Sequence, residues 1–419
     1  MKRKKNNNSA DVNEKILIVA IDIGAGEHWG YFRSPNGDEV RPFSFCPTRS
    51  GFEGLWRRIR DYQCDHDLTD VVIGFESTGS YAEPFIHFFR EKGVRLVQVN
   101  PMHTKRLKEL TGNTPHKTDQ KDPRVIADII GLGHGLSVIV PQGVSADLRR
   151  LIHARERAVS DLTAKNNQLT ALVFVVFPEF LTIMKTLTSR SALFLLKRYP
   201  LPEAMKRVRC ATLVRQLRRI SRGRLGTERA YALLGAARRS VGIIHGASGI
   251  AIEITYLIDQ IEQTQAFIGE LEQRIQACLR QIPWSRNLLS LPGVGAITVG
   301  GLIGEIGDFK AFHTVKELEK LAGLTLYEIS SGAHKGRRRI SKRGRPLIRK
   351  LLYLAALNTV KTDGIMYHRY HRMLDHGMPS IKALVAISRT LLGIMYALVR
   401  DNTVFERIRY EENVVKNVA

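Results

Sequence analysis

The sequence predicts an α/β domain followed by a mostly helical remainder. Three observations carry that prediction. An Ile- and Val-rich apolar run opens the chain behind a short polar tail, strand-like and helix-like segments alternate after it, and from about residue 145 long helical stretches have few glycine or proline breaks.

The first ten residues, MKRKKNNNSA, are basic and polar with no apolar stretch behind the charges, so they read as a flexible tail (1–14) and exclude a cleavable secretory signal. From Lys15, KILIVAIDIG reads as a central strand buried on both faces, with Asp22 near its end. HWGYFRS and EVRPFSFC follow as two strands around PNGD, whose Asn-Gly pair signals a hairpin. The three strands form an antiparallel meander. Next come a helix (GFEGLWRRIRDY), a strand (DVVIGFE), a helix (YAEPFIHFFREKG), a strand (VRLVQVNP) and further helical residues. Three strands, helix, strand, helix, strand, helix is the element order of the ribonuclease H fold, expected here over residues 15–144.

Residues 145–283 read as a helical linker. Ile254, Ile261, Ile268, Ile275 and Ile282 fall seven apart, with Leu257, Thr264, Leu271 and Cys278 at the second apolar position. Ile at a and Leu at d favour a two-stranded parallel coiled coil over about residues 250–283, pairing two subunits into a homodimer or part of a homotetramer. The alternative is one helix of an intramolecular bundle. Residues 284–400 form a second, mostly helical domain with glycine-rich turns, and 401–419 a C-terminal tail.

With 64 Lys and Arg against 40 Asp and Glu among 419 residues, the formal net charge is +24. Such an excess calls for a polyanionic partner, most often nucleic acid, because each cation placed on a phosphate releases counterions. Ribosome-like packing and membrane-surface binding are the alternatives. The four cysteines stand far apart, so neither a disulfide framework nor a metal knuckle is expected, and a reducing cytosol fits best. The longest apolar run, Ala171 to Phe177, stops at Pro178, well short of the roughly 18 residues needed to cross a bilayer, so no membrane span is expected.

Three constellations carry chemistry. Asp22, Glu76, Asp119 and Asp122 lie at element ends of the first domain and can converge at one end of its sheet. Clustered carboxylates repel one another, so such a site needs divalent cations, and hard oxygen donors select Mg²⁺ or Mn²⁺. Otherwise Asp119 and Asp122 cap a helix and Glu76 is solvated. In LPGVGAITVGGLIGEIGDF, a helix-hairpin-helix-like segment, the backbone N–H groups of Gly293 and Gly295 can meet a phosphate at a helix N-terminus; glycine turns between packed helices are the other reading. The stretch from Lys335 to Lys350 holds nine basic residues in sixteen and no acid. Lys335, Arg337, Arg338, Arg339, Lys342, Arg343 and Arg345 are its candidate nucleic-acid contacts. Just before it, Ser331 precedes Gly332 on a turn, where a hydroxyl ordinarily bonds locally.

Together these segments resemble the DEDD transposases of the insertion-sequence one-hundred-ten family over nearly the whole chain. The N-terminal signatures are VAIDIG with Asp22, FESTGSY with Glu76, VQVNP with Asn100, and HKTDQKDP with Asp119 and Asp122. The C-terminal ones are LPGVGAITVGGLIGEIGDF, LAGLTLYEISSG and ISKRGRPLIRKLLYLAA. The resemblance implies a RuvC-like domain whose four carboxylates hold Mg²⁺, joined through helices to a transposase domain with Ser331 as nucleophile and Ser330 in reserve. It also implies a structured noncoding guide RNA, DNA as substrate, and a bacterial or archaeal cytoplasmic setting at the nucleoid. Pro123 departs from the small residue more usual in the family and suits a helix that starts at Asp122. Two rival readings are a junction resolvase or nuclease that uses water, and a noncatalytic nucleic-acid binder.

Overall fold

The computed structural model describes residues 15–76, 79–111, 122–328 and 338–407. The chain divides into two compact units, Met1–Ile139 and Val140–Ala419.

The first unit is mixed α/β. In chain order it comprises β1 (Ile16–Ile23), β2 (His28–Arg33), β3 (Phe43–Phe45), α1 (Arg49–Asp65), β4 (Asp70–Glu76), α2 (Ala82–Glu91), β5 (Arg95–Val99), α3 (Pro101–Thr111), α4 (Asp122–Gly131) and β6 (Leu136–Ser137). The six strands order as β3-β2-β1-β4-β5-β6. β1 pairs antiparallel with β2 and parallel with β4, so it is central and its apolar run is buried on both faces. The Asn36-Gly37 turn forms as expected, with Gly37 at φ +91° and Ser34 bonded to Asp38 on both sides of it. Leu17, Val19, Ile21, Val71, Ile73 and Phe75 face one core with α1 and α2, while Ile16, Ile18, Ala20 and Val72 face a second core with α4.

The second unit is mostly helical: α5 (Val144–Val176), α6 (Pro178–Ile183), α7 (Arg190–Arg198), α8 (Pro202–Lys206), α9 (Cys210–Ser221), α10 (Thr227–Arg238), α11 (Ala247–Arg280), α12 (Ser285–Leu289), α13 (Ala296–Ile306), α14 (Val315–Ala322), the short strands β7 (Leu326–Tyr327) and β8 (Arg339–Ile340), α15 (Pro346–Thr359), α16 (Tyr367–Asp375) and α17 (Ser380–Arg400). The regions read separately as a linker and a second domain thus share one unit.

Four of the five heptad isoleucines are buried inside this chain, as the alternative reading of an intramolecular bundle expects, and Ile268 is half-buried. α5 and α11 lie side by side and antiparallel: Arg155 pairs with Glu272 at 2.7 Å, Lys165 reaches Thr264 at 3.4 Å and Gln168 reaches Glu253 at 2.9 Å. Ile254 and Ile261 are buried with Leu169, Val173 and Val176 in a distal core shared with α6 to α10. Ile275 and Ile282 are buried with Leu148 and Ile152 in a proximal core shared with α12 to α17. The seam has a partner in α5, whose Leu148, Leu162, Leu169 and Val176, with Ile152, Val159 and Val173, fall on a matching seven-residue spacing.

α17 is, by length and composition, apolar enough to cross a membrane. Its apolar residues serve the proximal core, where Ala383, Leu384, Ile387, Leu391, Leu392 and Met395 are buried, and Arg389 on the same helix forks onto Glu319 at 2.8 to 3.2 Å.

Because Ile261 is fully buried within one chain, Ile261→Ala should lose about 2–5 kcal/mol of stability through the cavity it leaves. The urea midpoint should fall while the mass by static light scattering stays that of the wild type. A reduced mass at an unchanged midpoint would mean that the seam pairs subunits.

Candidate active site and nucleic-acid surface

The register of β1 and β4 brings Asp22 and Glu76 together. Ile21 sits opposite Phe75, so the next position on each strand places Asp22 beside Glu76. Side chains alternate along a strand, so both carboxylates share the face of Ile18, Ala20 and Val72, the face that α4 covers. The direction of α4 follows from three contacts. Asp128 bonds Arg33 at 2.6 Å, opposite Ile18, and Gly131 approaches Ile18, whereas Arg124 lies 5.7 Å from the ring of Tyr31, opposite Ala20. α4 therefore runs against β1, with its first residue, Asp122, at the end of the sheet that carries Asp22 and Glu76. Gly74 allows this packing, since a Cβ there would fall 2.0 Å from Ile130 Cδ1.

The helix starts at Asp122 with Pro123 in its first turn, as that proline requires. The Asp122 side chain and all of Asp119 lie outside the described residues. Among the described residues no group of three or more metal-ligating side chains occurs; two of the four expected carboxylates, Asp22 and Glu76, have described side chains. Glu76 Oε2 accepts a 2.9 Å hydrogen bond from Thr104 Oγ1 and has no cationic partner among the described residues. An oxygen donor bonded only to a neutral hydroxyl suits a hard divalent cation.

Sequence reasoning missed Thr104. Asn100 Oδ1 accepts from the Met102 N–H at 2.9 Å and so caps α3, which brings Thr104, 2% exposed, beneath Glu76. The Thr104 hydroxyl also lies 2.8 Å from the Pro101 carbonyl. Its single proton is shared between two acceptors, which holds the Glu76 carboxylate in place. The available signal was a threonine one turn after an Asn-Pro helix start.

In the second unit, Gly293 (φ +84°) and Gly295 are exposed at the turn before α13, whose N-cap, Gly295, makes no side-chain capping hydrogen bond. The glycines further along α13 serve packing. A Cβ at Gly300 would meet Ile275, one at Gly301 would meet Leu351, and one at Gly304 would lie 2.7 Å from the backbone of Arg149. Next to Gly304, Glu305 is buried, with His153 Nε2 at 2.7 Å, Arg149 Nε at 3.6 Å and Arg345 Nη1 at 3.3 Å. Burial alone would raise its pKa, but the His153 hydrogen bond and the charges of Arg149 and Arg345 outweigh burial and hold it below the ordinary 4.5.

This cluster corrects the reading of the basic stretch as a run without acidic partners. Arg345 turns inward onto Glu305, Arg338 bonds Glu328 at 3.0 Å, Lys350 pairs with Glu156, and Arg349 donates to the carbonyls of Ala322 and Gly344. Arg339, Lys342 and Arg343 are exposed and carry no ion pair among the described residues. β7 and β8 pair antiparallel, Tyr327 opposite Arg339. The connection between them contains Ser330, Ser331, Lys335 and Arg337, all outside the described residues.

Two family models match this chain: a DEDD-type transposase model of IS110 over residues 19–178, and one described as a transposase of the IS116/IS110/IS902 family over residues 285–371. Together they span more than half of the sequence. The chain is 24% identical over 403 residues to the insertion element IS110 43.6 kDa protein of Streptomyces coelicolor, covering 94% of this chain and 97% of that relative. It is 23% identical over 350 residues to the transposase for insertion sequence element IS1111A of Coxiella burnetii, covering 82% of each. It is 29% identical over 164 residues to a pilin gene-inverting protein of Moraxella lacunata, covering 38% of this chain and 51% of that protein. Both matching models, and the relative from Coxiella burnetii, are described as transposases, which are DNA-cleaving and strand-transferring enzymes. The chain belongs to the IS110 family of DEDD transposases.

Removing the carboxyl charge in Glu305→Gln leaves Arg345 and Arg149 without their buried counter-charge and should cost about 3–5 kcal/mol. Because the folded pKa is depressed, the Glu305 contribution is present above the ordinary carboxylate value and is lost as pH falls through the folded one. Urea titrations from pH 7 down to pH 3 should show wild-type stability converging on that of Glu305→Gln below about pH 4.5. Parallel curves would exclude Glu305 as a source of the acid sensitivity.

Proposed function

We propose that this transposase cuts and rejoins the DNA of an insertion element through a covalent link between Ser331 and a DNA phosphate. Its first unit is a ribonuclease H-like, RuvC-like domain, a reading supported by the sheet order β3-β2-β1-β4-β5. The observation that carries the proposal is the placement of Asp22 and Glu76 on adjoining strand ends, on the face toward which α4 starts at Asp122. Asp22, Glu76, Asp119 and Asp122 would hold Mg²⁺ or Mn²⁺. When bound, the ion supplies charge neutralisation at a phosphodiester and lowers the pKa of an attacking hydroxyl. Thr104 holds the Glu76 carboxylate in one orientation, so that this donor is preorganised.

In the transfer step the Ser331 oxygen attacks phosphorus, the Oγ–P bond forms, the bond from phosphorus to the leaving deoxyribose oxygen breaks, and the serine proton ends on that oxygen. The number of phosphodiester bonds is unchanged, so the reverse step on a new strand end needs no external energy source. Exposed Arg339, Lys342 and Arg343, with Lys335 and Arg337, would hold the DNA backbone beside the serine, and the N–H groups at Gly293 and Gly295 would take a further phosphate. The relative that inverts pilin genes supports rejoining over simple hydrolysis. A structured noncoding guide RNA, a homodimeric or homotetrameric assembly and a cytoplasmic, nucleoid-associated setting complete the proposal from the family resemblance.

Reactions stopped with detergent should contain a protein–DNA adduct that disappears in Ser331→Ala, and also in Asp22→Ala and in the presence of chelator. Adduct retained in Ser331→Ala but lost in Ser330→Ala would move the nucleophile by one residue. Cleavage with free ends and no adduct in Ser331→Ala would establish a water-using nuclease instead.

A further inference from the structure

Residues 178–246, which lie between the two family-model matches, hold fifteen Lys and Arg against three acids, half of the chain's net charge of +24. They fold as α6 to α10 around the distal core that they share with α5 and α11, in which Leu213 and Leu217 pin α9 from beneath. The opposite face of α9 presents Arg215, Arg218 and Arg219 at the i, i+3, i+4 spacing of one helical stripe, and Arg222 follows at the left-handed C-cap (φ +55°); all four are exposed. None of the four has an ion pair among the described residues. Of the region's three acids, Glu203 pairs with Lys206 and Glu179 accepts from Ser240 and the Val241 N–H, while Glu228, exposed in the first turn of α10, has no ion pair among the described residues. Between α9 and α10 an open groove is lined by Arg215, Arg218, Thr227 and Tyr231, the tyrosine 64% exposed.

Cations in the last turn of a helix are favoured by its dipole, which accounts for Arg218 and Arg219. Arg215 lies mid-helix and Arg222 beyond the last helical residue, and like charges three and four apart repel along the whole stripe. Four unpaired, mutually repelling arginines on one rigid face match a row of phosphates.

We propose that the α9 stripe is a second DNA-binding surface, which grips the phosphate backbone of double-helical DNA independently of the basic stretch that follows Ser331. The occupant is DNA because the chain belongs to a DNA-transposase family, and double-helical because the stripe is straight and rigid. From Arg215 to Arg222 it runs roughly 10 Å along the helix axis, which covers about three phosphates of one strand. Tyr231 then lies at the edge of the contact, beside the sugar face.

The test uses the full chain carrying Ser331→Ala, so that its outcome does not depend on the serine chemistry. Affinity for a random-sequence DNA duplex is measured by fluorescence anisotropy across a salt series, beside a structured RNA hairpin of equal charge. Replacing Arg215, Arg218, Arg219 and Arg222 together by Ala should make the duplex log–log salt slope shallower by about 3, at roughly 0.9 per phosphate released. The single variants Arg215→Ala and Arg222→Ala should each remove about 1, which secures the reading if the quadruple variant misfolds. Replacement of all four by Lys should restore the slope. An unchanged duplex slope in both single variants overturns the proposal, as does a change confined to the RNA hairpin.

Discussion

The second unit depends on one buried carboxylate. Glu305, its side chain 4% exposed, can stay ionised only with cations and hydrogen-bonding partners around it, and it draws them from two other elements: the charge of Arg149 and the ring of His153 from α5, and Arg345 from the residue before α15. The preceding residue sets how close these elements come. At Gly304 the backbone of α13 meets the backbone of α5 without an intervening Cβ. Close approach and charge pairing fix α5 at one point, and from there α5 and α11 run out together to the distal core. Arg345 also anchors the return of the chain from β8 into α15, and its N–H bonds the Leu321 carbonyl. The connection that carries Ser331 therefore begins and ends on a framework held at Glu305 and at the β7–β8 pair.

In the first unit the corresponding constraint is a missing side chain in a strand. Gly74 lets Ile130 of α4 sit against β4, which sets the depth and direction of α4 and turns its start toward Asp22 and Glu76. Buried His28 stacks on Phe52 at 5.9 Å among Phe45 and Phe85, on the face of the sheet opposite the carboxylates. Burial lowers its pKa, so it acts there as an aromatic packing residue. Aromatic packing on one face and acidic strand ends on the other let one sheet be both rigid and functional.

Much of the first unit was legible in the sequence because its signals are local. The apolar run of β1, the Asn36-Gly37 turn and the alternation of strands with helices each specify an element without reference to distant residues. The heptad of α11 was legible as a face but not as a contact, since a periodicity says which side of a helix must be covered and is silent on what covers it. Arg345 was misread for a related reason. In sequence it is one of nine cations in sixteen residues; in space it alone of the described candidate contacts points at a buried carboxylate forty residues earlier. Thr104 was hidden because nothing in sequence ties a threonine to a strand-end glutamate 28 residues earlier. The arginines of α9 stand close together in sequence, five in ten residues from Arg215 to Arg224, but their number does not say that they line the face opposite Leu213 and Leu217.

These placements change what the net charge means. Cations that hold the fold are already matched: Arg149 and Arg345 by Glu305, and Arg389 by Glu319. Their removal would cost structure before it cost affinity, because a buried counter-charge would be left unpaired. The unmatched cations lie on surfaces that the matched ones position. Lys342 is the clearest case. It occupies the left-handed region at φ +53°, a conformation a non-glycine residue keeps only where its surroundings impose it. Here the imposition is visible on both sides: the Lys342 N–H bonds the Gly323 carbonyl, and three residues on Arg345 is tied to Leu321 and Glu305. A matched arginine thus sets the backbone that presents exposed Lys342 and Arg343, and charge pairing inside the fold determines where unpaired charge is available outside it.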